Sequence, residues 1–450
     1  MSADDLRALT DRLPDRVFGP GTDAYDQATT PCNATARQQP AAVVAARSAD
    51  DVAAAVRAAG ATGLRVLLQA TGHGAAGEVG DDTVLLDTSG LDSVAVDPDH
   101  RVVRAGAGAT FGAINAAAFE HGLLALAGTA PDVAVVGYTV LGGVGWLTRP
   151  YGMASASLLS VDLVDGTGEQ LHADDQQHAD LLWAYRGGGG VGVATAVELR
   201  LFPADNLHAG YLLWDAEHAA TVIPAWGDAL DRLHPALSSA VGLLLHAPNA
   251  PTVPESLRGK PVVHLAAATV AGETAMQTLR DVLAGLPEPA IDTLGPCDAQ
   301  RLSGIHLDPP APVPAHGEGR WLTGEAGSHA LQILTAAGAS LDSPLAEVEL
   351  RHVAAPASDV PGAETSCPGA VLLHATGPAP DPDARAKVEA ALEKVLAAAR
   401  PVDTGRSATA FRDGQDAAYD ARPTEFLTRL DAIRHLVDPA GVIVASKLLR

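Results

Sequence analysis

The chain has 450 residues, 47% of them hydrophobic, which is long enough for two or three globular domains with substantial cores. Its formal net charge of −24 makes nucleic acid and anionic membrane surfaces poor candidate partners. The three cysteines are far apart and have no metal-ligand spacing, and neither a leader peptide nor a long apolar run stands out. We therefore expect a cytoplasmic protein without a metal site. The oligomeric state is left open.

The first two hundred residues alternate short strands and helices. Strands are predicted over residues 42–46, 65–69, 83–87, 101–105, 158–164 and 193–202. Helices are predicted over 52–59, 110–121 and 175–184. Gly60 is expected to end the first helix, and Pro203 closes the whole region.

The rest of the chain continues to mix strands and helices. Strands are predicted over 240–245, 262–267, 345–353 and 371–375, and helices over 219–233, 273–284, 383–399 and 425–436. The helix at 219–233 should bend or restart at Pro224, because proline removes a helix hydrogen bond. A proline-rich loop is expected over 308–314.

The segment 69–77, Gln-Ala-Thr-Gly-His-Gly-Ala-Ala-Gly, follows a predicted strand and holds one histidine between glycines. Glycines permit close backbone approach, which leaves amide N–H groups free to hold an anion such as a pyrophosphate. A single histidine in such a loop is more often structural. This motif alone therefore leaves the role of His73 open.

Two further glycine-rich segments lie at 133–147 and 186–190. A dinucleotide fingerprint needs Gly-x-Gly-x-x-Gly between a strand and a helix, but the glycines after residue 186 follow a helix and precede a strand. The Walker lysine motif is absent from the sequence as well. These patterns argue against a Rossmann or P-loop site and against an NAD-linked dehydrogenase.

Taken together, residues 69–77, 133–152, 180–195 and 429–439 resemble four motifs of one family. That family is the FAD-linked oxidases of the vanillyl-alcohol-oxidase type, in the berberine-bridge-enzyme-like branch. The first two segments are similar to its pyrophosphate loop, with a flavin-attaching histidine, and to its second flavin-cradling segment. The third is similar to its glycine-run motif, and the fourth to its C-terminal element. The arginine- and alanine-rich composition suggests an actinobacterial member.

The resemblance implies an α+β fold in which a two-subdomain PCMH-type FAD-binding domain is completed by the C-terminal tail. Its expected limits are 1–205 (core 38–203) for this domain, 206–400 for a middle α+β substrate domain with an antiparallel sheet, and 401–450 for the returning tail. FAD is the implied cofactor, joined through His73 alone, because the family's second attachment point, a cysteine, is Ala130 here. The residues expected to bind FAD are Gln69, Ala70, Thr71, Gly72, His73, Gly74, Gly77, Ala130, Asp132, Val133, Ala134, Gly137, Tyr138, Gly142, Gly143 and Val193.

Catalytic roles are expected for Tyr138, Arg351 and His352. Tyr138 follows a glycine of the second segment, so it either faces the substrate or packs in the core. A predicted strand of the middle domain puts Glu347, Glu349 and Arg351 on one face and His352 on the other. Either face could be solvent, which would make this strand an exposed charged edge. We prefer His352 as the base, because its ordinary pKa lies near neutrality.

The implied function is an FAD-dependent oxidase of a small organic substrate, with dioxygen as acceptor, in a natural-product tailoring step. Some positions depart from the family pattern. Leu141 and Ala134 replace glycines, and Ala408 and Ala410 replace a tyrosine and an asparagine. Extra side-chain atoms beside a cofactor would crowd it. These departures leave an alternative function open. The chain would then have a decayed flavin fold and would either sequester a small molecule or act as a non-redox cyclase.

Overall fold

The computed structural model describes residues 9–75, 78–250, 253–309, 313–413 and 422–445. Two sheets form the N-terminal half. The first has the strand order Val17–Phe18, Ala42–Ala45, Thr83–Asp87, Arg65–Gln69, and its last three strands are parallel. The second is antiparallel, in the order Gln170–Ala173, Leu158–Val164, Val193–Arg200, Val102–Gly106, Val94–Asp97. Two small pairs join Arg37–Gln38 to Glu78–Val79 and Leu123–Leu124 to Phe202–Pro203.

The helix Ala49–Thr62 packs on the first sheet, and its ends follow local rules. The Ser48 side chain accepts the Asp51 N–H, which caps the first turn. Gly63, with a left-handed φ of +72°, ends the helix. The predicted end at Gly60 was wrong, because Gly60 lies within the helix and lacks the positive φ of this kind of cap.

The other helices of this half are Asp23–Ala28, Phe111–Phe119, Val135–Thr139, Thr148–Tyr151 and Ala179–Tyr185, with a 3-10 turn at Ala154–Ser157. The helix Ala179–Tyr185 begins later than the predicted helix over 175–184. The reason is local, because the Asp174 carboxylate accepts the N–H groups of Gln176 and Gln177. This side-chain turn competes with helix formation.

The second half is built on an antiparallel sheet, as expected, with nine strands among the described residues. The order is Ile291–Asp292, His208–Asp215, Val262–Thr269, Leu237–Leu244, Glu347–His352, Val371–Pro378, Ala315–Leu322, Asp403–Ser407, and Gly295–Pro296 also pairs with His208–Asp215. The strands at 208–215, 315–322 and 403–407 were not predicted. Glu347–His352 has a partner along both edges, which excludes the alternative of an exposed charged edge.

The two faces of this large sheet differ in chemistry. One is apolar and is covered by the helices Ala219–Gly227, Gly272–Leu283, Ala330–Thr335 and Pro382–Ala399. The opposite face, called the inner face below, carries small side chains that pack against the core of the N-terminal half. Pro224 lies inside its helix without restarting it, and the 3-10 turn Leu230–Arg232 follows separately. Shorter helical pieces are Ala216–His218, Ala299–Ser303, Gly324–His329, Arg400–Val402 and Thr409–Phe411.

The C-terminal helix Thr424–Val437 packs its apolar side chains into the core of the N-terminal half. Just beyond it, the buried Asp438 carboxylate accepts the N–H groups of Val442 and Ile443. The strand Asp403–Ser407, in contrast, belongs to the large sheet. The domain limits at 205 and 400 stay predictions. Among the described residues, no helix combines the length and apolar character needed to cross a bilayer.

We expect Gly63→Ala to lower the free energy of unfolding by about 1–2 kcal/mol, because alanine adopts the left-handed backbone at a cost that glycine does not have. A Cβ at this position would meet no atom within 4 Å, so the loss reflects the backbone alone. Gly63→Asn is the control and should lose less, since asparagine tolerates this conformation. Urea denaturation compares the two variants, and equal losses would contradict the backbone argument.

Candidate active site

The loop after the strand Arg65–Gln69 presents one imidazole. Gly72 has a φ of +75°, and a Cβ there would lie 2.6 Å from Pro31 Cβ, so the position requires glycine. His73 Nδ1 is 3.1 Å from Thr71 Oγ1, and the His73 side chain is 27% exposed. One ring nitrogen is therefore engaged inside the loop. Gly77, also expected to bind the cofactor, lies outside the described residues.

Two other parts of the chain meet this imidazole. His73 Nε2 is 3.2 Å from Asp132 Oδ1, in the second glycine-rich segment. Cys32, from the N-terminal segment, has its Sγ within 4.8 Å of the His73 and Asp132 ligand atoms. Burial, together with the charges of Asp132 and Asp308, raises the pKa of the Cys32 thiol. The thiol is thus protonated at neutral pH.

The third glycine-rich segment joins the second. The Gly189 N–H donates to Val140 O at 2.7 Å. Gly187, Gly189 and Gly190 all have positive φ, so the chain turns tightly here. The three segments recognised in the sequence, 69–77, 133–147 and 186–190, are thus neighbours in space where the structure describes them. With their flanking residues they span 69–75, 127–147 and 186–192. We call them the cradle loops.

Backbone donors in the cradle loops fit an anionic ligand. Within the described residues, the N–H groups of Gly72, His73 and Gly74 have no hydrogen-bond acceptor. Val136 and Gly137 lie in the first turn of the helix Val135–Thr139, where N–H groups have no partner from the i−4 ladder. A Cβ on Gly137 would meet no atom within 4 Å, so open space borders this turn. Unpaired donors beside open space suit a pyrophosphate. The residues present therefore fit FAD.

The two substitutions of glycine leave the cradle intact. Leu141 packs against the core beneath the second sheet, while the positive φ values fall on the retained Gly142 and Gly143. Ala134 is buried and has a φ of −71°, which any residue adopts. Neither Leu141 nor Ala134 stands where the backbone needs glycine.

The remaining residues expected to bind FAD differ in exposure. Partly or fully exposed positions are Gln69, Ala70, Thr71, His73, Gly74, Ala130, Asp132, Val133 and Gly137. The side-chain amide of Gln69 is hydrogen-bonded within the protein, because Nε2 donates to Ala28 O at 2.8 Å and Oε1 accepts from Gln38 Nε2. Val193 is fully buried, with its side chain in an apolar core. The cofactor roles of Gln69 and Val193 stay predictions.

Tyr138 is buried against the second cradle loop. Its ring meets Phe111 edge-on, with 5.0 Å between the centroids, and its hydroxyl has no hydrogen-bond partner among the described residues. Burial raises the pKa of Tyr138 far above its usual range, although the positive charge of Arg351 opposes this shift. The phenol is therefore neutral. It is close enough to the large sheet for the charge of Arg351 to act on it.

The inner face of the large sheet carries a buried charged cluster. Glu347, Glu349 and Arg351 alternate along the central strand, and each is at most 8% exposed. Arg351 Nε lies 2.5 Å from Glu349 Oε2, and Arg351 Nη2 lies 3.0 Å from His306 Nε2. His306 Nδ1 is in turn 2.7 Å from Asp308 Oδ1. We call these five residues the inner cluster.

Burial and pairing set the protonation of the inner cluster. Burial raises the pKa of Glu347 to about 7. Burial would raise the pKa of Glu349 too, but the charges of Arg351 and His306 hold it well below its usual range. The pKa of His306 rises despite burial, because Glu347, Asp308 and Glu349 favour the cation. Glu349 is thus ionised, while Glu347 titrates near neutral pH.

His352 lies on the other face of the same strand. It points to the helix-covered side, because residues of a strand alternate between faces. Burial and the charge of Arg149 lower the pKa of His352 to about 3, so its ring is neutral. The sheet therefore separates His352 from Arg351. The role of His352 as a base stays a prediction.

Comparisons with known proteins agree with this geometry. Residues 40–174 match the FAD binding domain family. The (R)-6-hydroxynicotine oxidase of Paenarthrobacter nicotinovorans is 31% identical over 242 residues, 53% of each chain, so the match spans about half of that relative. The structure of Physcomitrella patens BBE-like 1 has a TM-score of 0.82 at 18% identity, over 99% of both chains. The structure of glucooligosaccharide oxidase from Acremonium strictum has a TM-score of 0.80 at 18% identity, over 98% of this chain and 99% of that chain.

Residues 40–174 therefore belong to the FAD binding domain family, and the chain has the fold of the BBE-like and glucooligosaccharide oxidase structures. The PCMH-type fold and FAD as cofactor, both expected from the resemblance, are confirmed. Sequence reasoning missed Cys32 and Asp308 as parts of the site of this FAD-linked protein. His306 and His316 both flank the proline-rich loop in the sequence, but His316 lies 3.6 Å from Glu389, on a helix of the covered face. No local pattern in the sequence distinguishes the two histidines.

We expect Arg351→Met to lower the free energy of unfolding by about 3–5 kcal/mol, because Glu349 would remain buried without its cation. The matched control is Arg65→Met, which removes an exposed arginine 2.7 Å from Asp82. The free energy of unfolding of this control should fall by no more than about 1 kcal/mol. Urea denaturation at neutral pH compares them. A loss no larger than the control's would contradict burial of the inner cluster.

Proposed function

We propose that the chain is an FAD-dependent oxidase that takes a hydride from a small organic substrate and uses dioxygen as acceptor. The observation that carries this proposal is the placement of His73 in the cradle loops opposite a buried charged cluster. Two proteins of similar sequence or fold are named as oxidases, the 6-hydroxynicotine and glucooligosaccharide enzymes. Their names support the same class of reaction here.

We propose His73 as the single point of covalent attachment. The FAD of glucooligosaccharide oxidase is described as both 6-S-cysteinyl and 8α-N1-histidyl. Ala130 cannot supply a cysteinyl link in this chain. Cys32 is close to His73, but its raised thiol pKa leaves little of the nucleophilic thiolate. The imidazole is therefore the attachment group that the local chemistry favours.

Bound FAD would supply the hydride acceptor, which dioxygen regenerates, while the protein supplies binding, orientation and electrostatics. The unpaired N–H groups of residues 72–74 would hold the pyrophosphate. Arg351 contributes a positive charge whose position is fixed by Glu349. Tyr138 adds a neutral hydroxyl. Such fixed groups act strongly because the surrounding protein excludes water.

The setting of the reaction is part of the same proposal. We assign the substrate domain to residues 206–400 and the reaction to natural-product tailoring. Cys32, Cys297 and Cys367 are all free thiols, which supports a reducing, cytoplasmic location. The alternative of a decayed, non-redox fold loses the support that came from Leu141 and Ala134, because neither residue stands where the backbone needs glycine. The support that comes from Ala408 and Ala410 remains.

We expect the denatured wild-type chain to carry the mass of one FAD, and His73→Ala to carry none. Cys32→Ala is the matched control from the same site and should keep the full FAD mass, because the proposed link is through the imidazole. Intact-protein mass spectrometry after acid denaturation measures both variants. FAD retained by His73→Ala, or lost from Cys32→Ala, would contradict attachment through His73 alone. A wild-type protein without any flavin would favour the sequestering alternative.

A further inference from the structure

The inner cluster contains more carboxylates than cations. Among the described residues, two cations, Arg351 and His306, balance Asp308, Glu347 and Glu349. His264 and His374 also lie near these carboxylates, but burial lowers the pKa of each to about 4, so both are neutral. Arg351 Nε pairs with Glu349 at 2.5 Å, and His306 Nδ1 pairs with Asp308 at 2.7 Å. If His306 is neutral instead, the excess of negative over positive charge in the inner cluster is larger. One carboxylate is therefore left without a cation of its own in either state.

The unpaired carboxylate is Glu347. Its nearest cationic atom is His306 Nε2, at 3.4 Å, and that atom also lies 3.3 Å from Glu349 and 3.0 Å from Arg351. Oε1 of Glu347 and Oε1 of Glu349 have no hydrogen-bond partner among the described residues, although both are buried. A buried oxygen of this kind lacks a donor that it requires.

We propose that the excess negative charge of the inner cluster recognises a substrate with a protonated amine, with Glu347 as the residue that binds it. The inference rests on the proposed oxidase function and names its substrate class. An ammonium group supplies both the missing cation and the missing N–H donors, which a neutral hydroxyl compound does not. Glu347 thereby becomes a specificity-determining residue.

The surroundings of the cluster favour this ligand. The ring of Trp146 lies 6.4 Å from His306, and the Phe411 ring lies 5.1 Å from the Arg351 guanidinium. Apolar rings exclude water and so strengthen the attraction between a carboxylate and a cation. The Asp308 side chain is 33% exposed and its charge acts on Cys32 beside His73, so the Asp308 end of the cluster is near the cradle loops.

A divalent metal ion is the weaker occupant of the same site. His306, Glu347 and Glu349 do place their ligand atoms within 4.8 Å of one another. The Arg351 guanidinium, however, already pairs with Glu349 and lies 3.0 Å from His306 Nε2. A metal ion would have to displace this buried cation, whereas an amine needs only the free oxygens.

The test compares two probes of equal size, benzylamine and benzyl alcohol, by calorimetry on the flavin-loaded protein at about pH 8. We expect benzylamine to bind and Glu347→Gln to weaken it at least tenfold, with Glu393→Gln, an exposed glutamate, as the matched control. Benzyl alcohol should bind more weakly and respond to neither change. Benzylamine that does not bind, that binds no better than the alcohol, or that binds Glu347→Gln unchanged would overturn the proposal.

The wild-type protein gives a second readout that needs no variant. Benzylamine affinity should fall several-fold between about pH 8 and about pH 6, because burial puts the pKa of Glu347 at about 7 and its protonation removes the charge. The charged groups that face it are His306, Asp308, Glu349 and Arg351. An affinity that is flat or rises toward acid pH would contradict Glu347 as the anchor.

Loss of the visible flavin absorbance under anaerobic conditions reports reduction of the flavin. This measurement distinguishes the proposed oxidase function from the proposed recognition of an amine. Amine binding without reduction of the flavin by any amine tested contradicts the oxidase and leaves amine recognition standing. Reduction by a neutral alcohol in a protein that binds no amine overturns the amine inference and leaves the oxidase standing.

Discussion

The buried Arg351 guanidinium connects the large sheet to the rest of the molecule. It must stay paired with Glu349, because separating the two would leave a buried charge without a partner. Arg351 pairs with Glu349 on the inner face, lies 6.0 Å from the Trp146 ring of a cradle loop, and lies 5.1 Å from Phe411 near the C-terminus. Desolvation of both charges is unfavourable unless they stay paired. The sheet therefore has to meet the cradle loops with this face, and the charged groups of the site are fixed by the same contact that joins the two halves.

The cofactor side of the site depends on backbone rather than on side chains. Gly72, Gly142 and Gly189 adopt positive φ values, and the donors suited to a pyrophosphate are main-chain N–H groups. Replacement of a neighbour such as Leu141 leaves this geometry unchanged, because its side chain packs into the core. The cradle loops thus keep their backbone geometry when residues around their glycines differ, whereas the inner cluster is built from charged side chains that depend on one another.

The predictable part of the fold is the part that local physics determines. Caps, glycine turns and alternation place His73 in its loop and put Glu347 on the same face as Arg351. Sequence patterns do not reveal which strands become neighbours. The charged strand therefore remained ambiguous between an exposed edge and the centre of the sheet. Cys32 reaches His73, and His306 reaches Glu349 and Arg351, only through long-range contacts that no local motif encodes.

The acidity of the whole chain acts in the same direction as the inner cluster. A formal net charge of −24 disfavours polyanionic partners, and the same field attracts small cations toward the protein. Attraction at long range affects how often a charged substrate arrives and is screened by salt over about 8–10 Å at physiological ionic strength. Glu347, which shares His306 with Glu349, would then act at short range, where burial reduces the screening. An amine would be favoured at both stages, whereas a neutral substrate would be favoured at neither.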